Sequence, residues 1–386
     1  MTHPGLADGP IYLDYNATTP IDPRVVEAVL PYLTHHFGNP SSSHSYAARP
    51  RAAIAEARGQ VADLLGASAA EITFTGGGSE ADTLAIRGVA LAARDRGDHV
   101  ITQVTEHPAV IEACRSLRAD GFTVTQLPVD GYGRVDPAAL EAAITDRTVL
   151  VSVMAANSET GTLQPLTELA AIAHRHGAVM HTDAAQAAGK IPLDVTELGV
   201  DLLTVVGHKL YAPKGVGALY IRSGTPLNPI IHGGSQERGL RAGTENVTFI
   251  VALGTAAKLA AAELPGSATE LAAVRDRLHH ELDRLLPGVV HLNGHAVDRL
   301  PSTLNVSLAG VDGKSLLAAT PQIAASTGAA CHEGVDTPSV VLTAMGLDSA
   351  RAHAAVRLTV GRWTTTEHVR QAAELLSASH KAMSNV

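Results

Sequence analysis

Two residues in this chain have types and settings that invite chemistry, Lys209 and Asp183. Lys209 closes Gly207-His208-Lys209, directly after the apolar run Leu202-Leu203-Thr204-Val205-Val206. At the end of a buried strand an ammonium is poorly solvated, so the amine is easily uncharged. A readily uncharged amine is what a covalent link to an aldehyde cofactor requires. Of the six lysines, this is the one that follows such a run so closely. Upstream, the apolar run Ala178-Val179-Met180-His181-Thr182 ends in Asp183. Two neighbouring strands would then bring an amine and a carboxylate to one edge of a sheet. That pair suits pyridoxal 5′-phosphate: the lysine holds the aldehyde carbon, and the carboxylate keeps the ring nitrogen protonated so that the ring withdraws electrons.

The elements needed to position this pair are readable between about residues 50 and 260. Arg51 to Leu65 carries Ile54, Ala57, Val61, Leu64 and Leu65 on one helical face and stops at Gly66. Seven short apolar runs follow: 72–74, 99–102, 123–125, 149–154, 178–182, 202–206 and 217–221. Their alternation with helical patterns predicts an α/β fold with a mostly parallel seven-stranded sheet. Ligands of such sheets lie beyond the carboxyl ends of the strands, where Asp183 and Lys209 fall. After residue 262 the texture changes to a charged helix (271–286), a strand-like run at 303–308 and a Gly-rich loop around Cys331. A final helix should follow the cap-like Thr364-Thr365-Thr366-Glu367. The expected division is a large domain (18–262) and a smaller α+β domain (1–17 with 263–386).

Other motifs gather around the same edge. Thr75-Gly76-Gly77-Gly78-Ser79-Glu80 lies between a strand and a helix, where bare backbone N–H groups and the helix dipole favour a phosphate. The string also fits G-x-G-x-x-A, so a nucleotide-dependent oxidoreductase is a rival. That rival needs an acidic residue after the next strand; Gln103 stands there and Asp98 lies at the opposite end. His107, in Glu106-His107-Pro108, follows a strand and is placed to stack on a ring and carry protons. Arg357, in Ala355-Val356-Arg357-Leu358-Thr359-Val360, offers a bidentate partner for a substrate carboxylate, or an ion pair on an edge strand. Cys331 sits in Gly328-Ala329-Ala330-Cys331-His332-Glu333-Gly334, an exposed-loop composition with His332 beside it that favours a nucleophilic thiolate. Cys114, inside a helical pattern, reads as core. The polar, Gly-rich 233–246 segment reads as a functional loop at a subunit interface.

Composition narrows the classes. The formal charge of −9 argues against direct nucleic-acid binding. Two cysteines make no disulfide framework, and the N-terminal residues lack a secretory pattern, so a cytoplasmic location is expected. The run from Ser315 to Cys331 is too short and polar for a membrane span, and no membrane association is expected. Nineteen histidines show no H-E-x-x-H spacing, and no metal is expected.

Taken in order, YLDYNATT (12–19), FGNPSSSH (37–44), TEHPAV (105–110), HTDAAQ (181–186), GHKLYAPKG (207–215), QERGLRAGTEN (236–246), PSVVLTAMG (338–346) and GRWTT (361–365) resemble the cysteine desulfurases of the NifS/IscS type. These belong to the fold-type I, class V aminotransferase group. The resemblance implies that Lys209 bonds the cofactor aldehyde, Asp183 pairs with the ring nitrogen, Gln186 bonds the ring hydroxyl, and His107 stacks and shuttles protons. It places Gly78, Ser79 and His208 on the phosphate, with Thr244 reaching across from a second subunit of a homodimer. Asn157 and Arg357 would bind the substrate carboxylate. Cys331 would take sulfur from L-cysteine, leaving L-alanine and a persulfide for a sulfur-acceptor protein. Departures are Val206 where the family has a serine, Ser158 for an asparagine, Ala212 for a glycine and Ser235 for a third glycine. The Val206-Gly207-His208-Lys209 and Gly328-to-His332 strings look like selenocysteine lyases, which makes release of selenium from L-selenocysteine the alternative. The segment from Cys331 to Pro338 has the longer loop of NifS/IscS-type enzymes.

Overall fold

The computed structural model describes residues 3–328 and 337–384. The chain enters through β1 (Ile11–Tyr12) and then builds the strands of a seven-stranded sheet. These are β2 (Ile72–Thr75), β3 (His99–Gln103), β4 (Thr123–Leu127), β5 (Thr148–Ser152), β6 (Val179–Asp183), β7 (Leu202–Val206) and β8 (Gly217–Ile221). Their order across the sheet is β2-β8-β7-β6-β5-β3-β4. The contacts from β7 through β4 are parallel, and β8 pairs antiparallel with both β2 and β7. Every residue of β5, β6 and β7 is buried, as expected for parallel strands covered on both faces. Alternate residues of β7 divide between two apolar clusters, Leu203 and Val205 in one and Leu202 in the other.

The rest of the strands are β9 (Val290–Leu292), β10 (Thr303–Leu308), β11 (Ile323–Ala324) and β12 (Ala355–Thr359). They form an antiparallel sheet ordered β12-β10-β9, while β11 pairs with β1. A third apolar cluster belongs to this region.

Two elements depart from the sequence expectation. The charged helix is the second half of one 39-residue helix, Val247–Leu285. Its first half packs against the Ala48–Leu65 and Pro23–Thr34 helices and its second against Thr366–Ser384. An apolar helix covered on several sides shows no amphipathic stripe. Pro265 and Gly266 lie exposed within it, where the carbonyl that proline leaves without a helical donor is open to solvent. By length and hydropathy this helix could cross a bilayer; here its packing is against other helices of the chain. The last helix, Thr366–Ser384, is boxed by His368 rather than Glu367: Thr365 Oγ1 accepts the His368 N–H at 3.1 Å, and His368 Nδ1 accepts the Thr365 N–H at 3.3 Å.

Candidate active site

Register brings the amine and the carboxylate together. β6 and β7 are parallel neighbours with Asp183 opposite Thr204, so Asp183 ends one strand as the other runs on to the Gly207–Lys209 turn. The turn is held by Gly207 N–H on Val216 O and by Leu210 and Ala212 N–H on Gly207 O. Tyr211 sits at φ 62°, a left-handed conformation that costs a non-glycine residue about 1–3 kcal/mol. Its surroundings fix it there. Its N–H donates to Thr19 Oγ1, its hydroxyl accepts the Arg362 N–H, and the Arg362 guanidinium lies 4.3 Å over its ring. The 14–19 segment wraps this turn, and Lys209 Nζ donates to Asn16 O at 2.6 Å and Ala17 O at 2.7 Å. Burial, with the Arg357 charge behind it, pushes the Lys209 amine down to about 8.

Asp183 is buried, and its Oδ1 accepts the Ala185 N–H at 2.8 Å. Desolvation raises its pKa, while the Ala185 N–H, His107 and Lys209 pull it back. His107 caps the Pro108–Ser116 helix, its Nδ1 accepting the Ala109 N–H at 3.1 Å, which leaves the proton of the neutral ring on Nε2. Its ring opens to solvent on one side, yet the surrounding protein lowers its pKa and Asp183 opposes the shift. Gln186 is buried and donates through Nε2 to Asn16 O. His208 shares a 3.1 Å hydrogen bond with Thr18 Oγ1; burial and Lys209 push it down to about 4, so the ring is neutral near pH 7.

The glycine loop meets this edge from β2. The Gly78–Ala92 helix has Gly77 at its cap with no side-chain cap, and Ser79 is exposed in its first turn. A Cβ on Gly217 would stand 2.8 Å from Val205 O and 3.0 Å from the Gly77 carbonyl carbon; one on Gly78 would stand 2.6 Å from Val206 Cγ2. Backbone is therefore packed where an anion would need bare N–H groups. The 236–246 loop is pinned alongside. Glu237 pairs with Arg58 at 2.6 Å and accepts the Phe74 N–H, while Glu80 bridges Arg241 Nε and the Gly76 N–H, each at 2.9 Å. Thr244 stands exposed on this loop.

Arg357 projects from edge strand β12, where the structure shows the expected ion pair. Its Nη2 pairs with Asp14 Oδ1 at 2.7 Å, its Nη1 donates to Ser158 O, and its buried Nε has no partner among the described residues. Asn157 is occupied differently from the expected substrate contact. Its Oδ1 accepts the Glu159 and Thr160 N–H groups and its Nδ2 donates to Thr105 O, so the amide holds a turn. Cys331 and His332 lie outside the described residues. On one side of them Gly328 lies against Glu159, and on the other Ser339 Oγ donates to Glu159 Oε2. Arg357 N–H meanwhile donates to Ser326 O. Sequence reasoning gave no role to Lys190, Asn16, Asp14 or Asp82, all of which border the site; only the rarity of lysine could have drawn attention to Lys190.

These residues fit pyridoxal 5′-phosphate. A buried carboxylate awaits a cation, an amine is poised near its neutral form, and an uncapped helix start with a tight glycine loop awaits a phosphate. Val206 adds no donor there.

A family model for class V aminotransferases matches residues 11–371. The cysteine desulfurase IscS of Methanosarcina thermophila is 48% identical over 368 residues, covering 95% of this chain and 91% of that protein. The cysteine desulfurase IscS of Rickettsia bellii (strain OSU 85-389) is 45% identical over 378 residues, covering 95% and 90%. Among solved structures, a NifS-like protein superposes with a TM-score of 0.90 at 36% identity, covering 98% of this chain and 100% of that one. SspA in complex with cysteine superposes with a TM-score of 0.81 at 36% identity, covering 92% and 99%. With residues 11–371 of its 386 matched by that family model, the chain belongs to the class V aminotransferase family.

Proposed function

We propose that this chain is a pyridoxal-phosphate-dependent cysteine desulfurase that converts L-cysteine to L-alanine and passes sulfur from Cys331 to an acceptor protein. The observation that carries the reading is the junction of Asp183 and Lys209 at adjacent parallel strand ends, with Arg357 close enough to depress the lysine. In this reading 18–262 holds the cofactor, and 1–17 with 263–386 carries Arg357 and Cys331.

Bound pyridoxal phosphate supplies an electron sink for the substrate carbons. The chain does the rest. Asp183 holds the ring nitrogen's proton and Gln186 orients the ring hydroxyl. Gly78, Ser79 and His208 hold the phosphate, joined by Thr244 from the second subunit of a homodimer. The Arg357 guanidinium takes the substrate carboxylate. Lys209 Nζ takes and returns the proton at the substrate Cα, and His107 is the second proton carrier. The Cys331 thiolate then attacks the substrate sulfur. An S–S bond forms and the Cβ–S bond breaks; its electron pair stays with carbon, which gains a proton and leaves as alanine.

Alanine release from L-cysteine and from L-selenocysteine, measured for wild type and Cys331→Ala, tests this. The expected result is that the variant loses cysteine turnover at least a hundredfold. Selenocysteine turnover without Cys331, alongside negligible cysteine turnover in wild type, would instead make the protein a selenocysteine lyase.

A further inference from the structure

A second lysine is buried behind the first. Lys190 follows β6 in the turn after Gln186 and is only 7% exposed. A buried amine normally demands a carboxylate. This one donates instead to two amide oxygens, Gln186 Oε1 at 3.0 Å and Asn16 Oδ1 at 3.3 Å. The rest of the Asn16 side chain is committed, its Nδ2 donating to Thr303 Oγ1 and Ser158 O. An amide has one accepting end and one donating end. With Lys190 on Oε1, Gln186 must turn Nε2 to the Asn16 carbonyl, and that carbonyl also receives Lys209 Nζ at 2.6 Å. The two lysines are thus joined through one glutamine and one backbone oxygen.

We propose that Lys190 is a positioning residue for Lys209: it locks the direction of the Gln186 amide and so fixes the carbonyl on which the Lys209 amine rests. The inference rests on Lys209 as the cofactor-bearing residue. The charged groups facing Lys190 are Lys209 and Arg357, and with burial they push its amine down to about 7. Those acting on Lys209 are Arg357, Asp14, Asp183 and Lys214. Lys190 thus loses its proton before Lys209 does, and it acts on Lys209 through its hydrogen bonds rather than through its charge.

The test uses full-length protein: wild type, Lys190→Met, Lys190→Gln and, as control, Lys209→Ala. The pH midpoint of the visible cofactor band is titrated, and the pH dependence of Lys209 acylation is followed by mass spectrometry in cofactor-free protein. Removing Lys190 should lower both midpoints, because the Asn16 carbonyl that accepts from the protonated Lys209 amine is no longer held in place. Lys190→Met should also lower kcat about tenfold with a smaller change in KM. Lys190→Gln, which keeps a donor to the same oxygens, should hold the midpoints nearer to wild type and recover part of kcat, and it decides the matter should Lys190→Met fail to fold. Wild-type midpoints in a folded variant whose melting temperature alone has dropped would overturn the proposal. A visible band that survives in Lys209→Ala would mark failure of the functional reading instead.

Discussion

Asp183 shares its buried neighbourhood with two more carboxyls, Asp82 and Glu106. Burial pushes both well above the ordinary carboxylate range, and the charge of Asp183 adds to the shift. Glu106 is oriented through Oε1, which accepts the Met154 N–H at 2.6 Å. Both groups thus favour the protonated form, while His107 and Lys209 draw Asp183 back toward the ionised one. Glu106→Gln should then leave cofactor dissociation within about twofold of wild type, whereas Asp183→Asn should speed it at least tenfold, roughly 1.4 kcal/mol. Stability should follow the same logic. A carboxyl whose folded pKa is raised holds its proton while the unfolded chain, with a pKa near 4, has lost it, so stability falls as pH rises above that value. Denaturant titrations of cofactor-free protein at pH 5 and pH 8 should show a steeper loss in wild type than in Glu106→Gln. Equal slopes would mean that Glu106 is ionised in the folded state.

At the scale of elements, the glycine loop is defined by what its neighbours exclude. A Cβ at Gly217 would run into Val205 O and the Gly77 backbone, neither of which can swing aside. Gly217→Ala should cost about 1–3 kcal/mol and loosen cofactor retention, as overpacking does. Gly59, in the Ala48–Leu65 helix, has nothing within 4 Å of its Cβ position. Gly59→Ala should stabilise by about 0.5–1 kcal/mol and leave cofactor binding alone. Thermal melts with and without pyridoxal phosphate distinguish the two effects. The same elements show what a sequence displays and what it hides. β7 and β8 were legible to the residue because their apolar runs are continuous and sharply bounded. The first half of Val247–Leu285 was hidden, since a helix covered on several sides has no stripe to detect. Lys209 and Asp183 announced themselves by following buried strands. Lys190 did not, because its partner Asn16 lies 174 positions away, a proximity created only by the sheet and the wrapping N-terminal segment. The turn that occupies Asn157 is likewise invisible until its backbone partners are in place.

At the scale of the molecule, the Pro23–Thr34 helix and the loop after it leave Val26, Leu30, Leu33, Phe37 and Tyr46 exposed, Phe37 by 77%. The Phe37 and Tyr46 rings lie 5.4 Å apart, giving the patch an aromatic end. Such a patch is a candidate for burial against a second copy. Sedimentation should give a dimer, and Leu33→Glu should shift it toward monomer. Complementation tests whether Thr244 acts across the interface. Thr244→Asp and Lys209→Ala homodimers should each lack a normal cofactor band. Mixed dimers should regain it in one of two sites, because one protomer supplies the lysine and the other the threonine. A band no stronger than the sum of the two parents would place Thr244 in its own protomer's site or in neither.

The 39-residue helix begins at its Asn246 cap, two positions after Thr244, and runs roughly 58 Å to end beside β9. One end therefore adjoins the loop that carries Thr244, and the other packs against the Thr366–Ser384 helix in the region that carries Arg357. A stiff rod between two such points acts as a linkage: a tilt of a few degrees at the substrate end becomes a displacement of several ångströms at the other. In the proposed dimer such a linkage would gear the two centres together, and a hybrid with one impaired protomer should then turn over at a rate that differs from the mean of its parents.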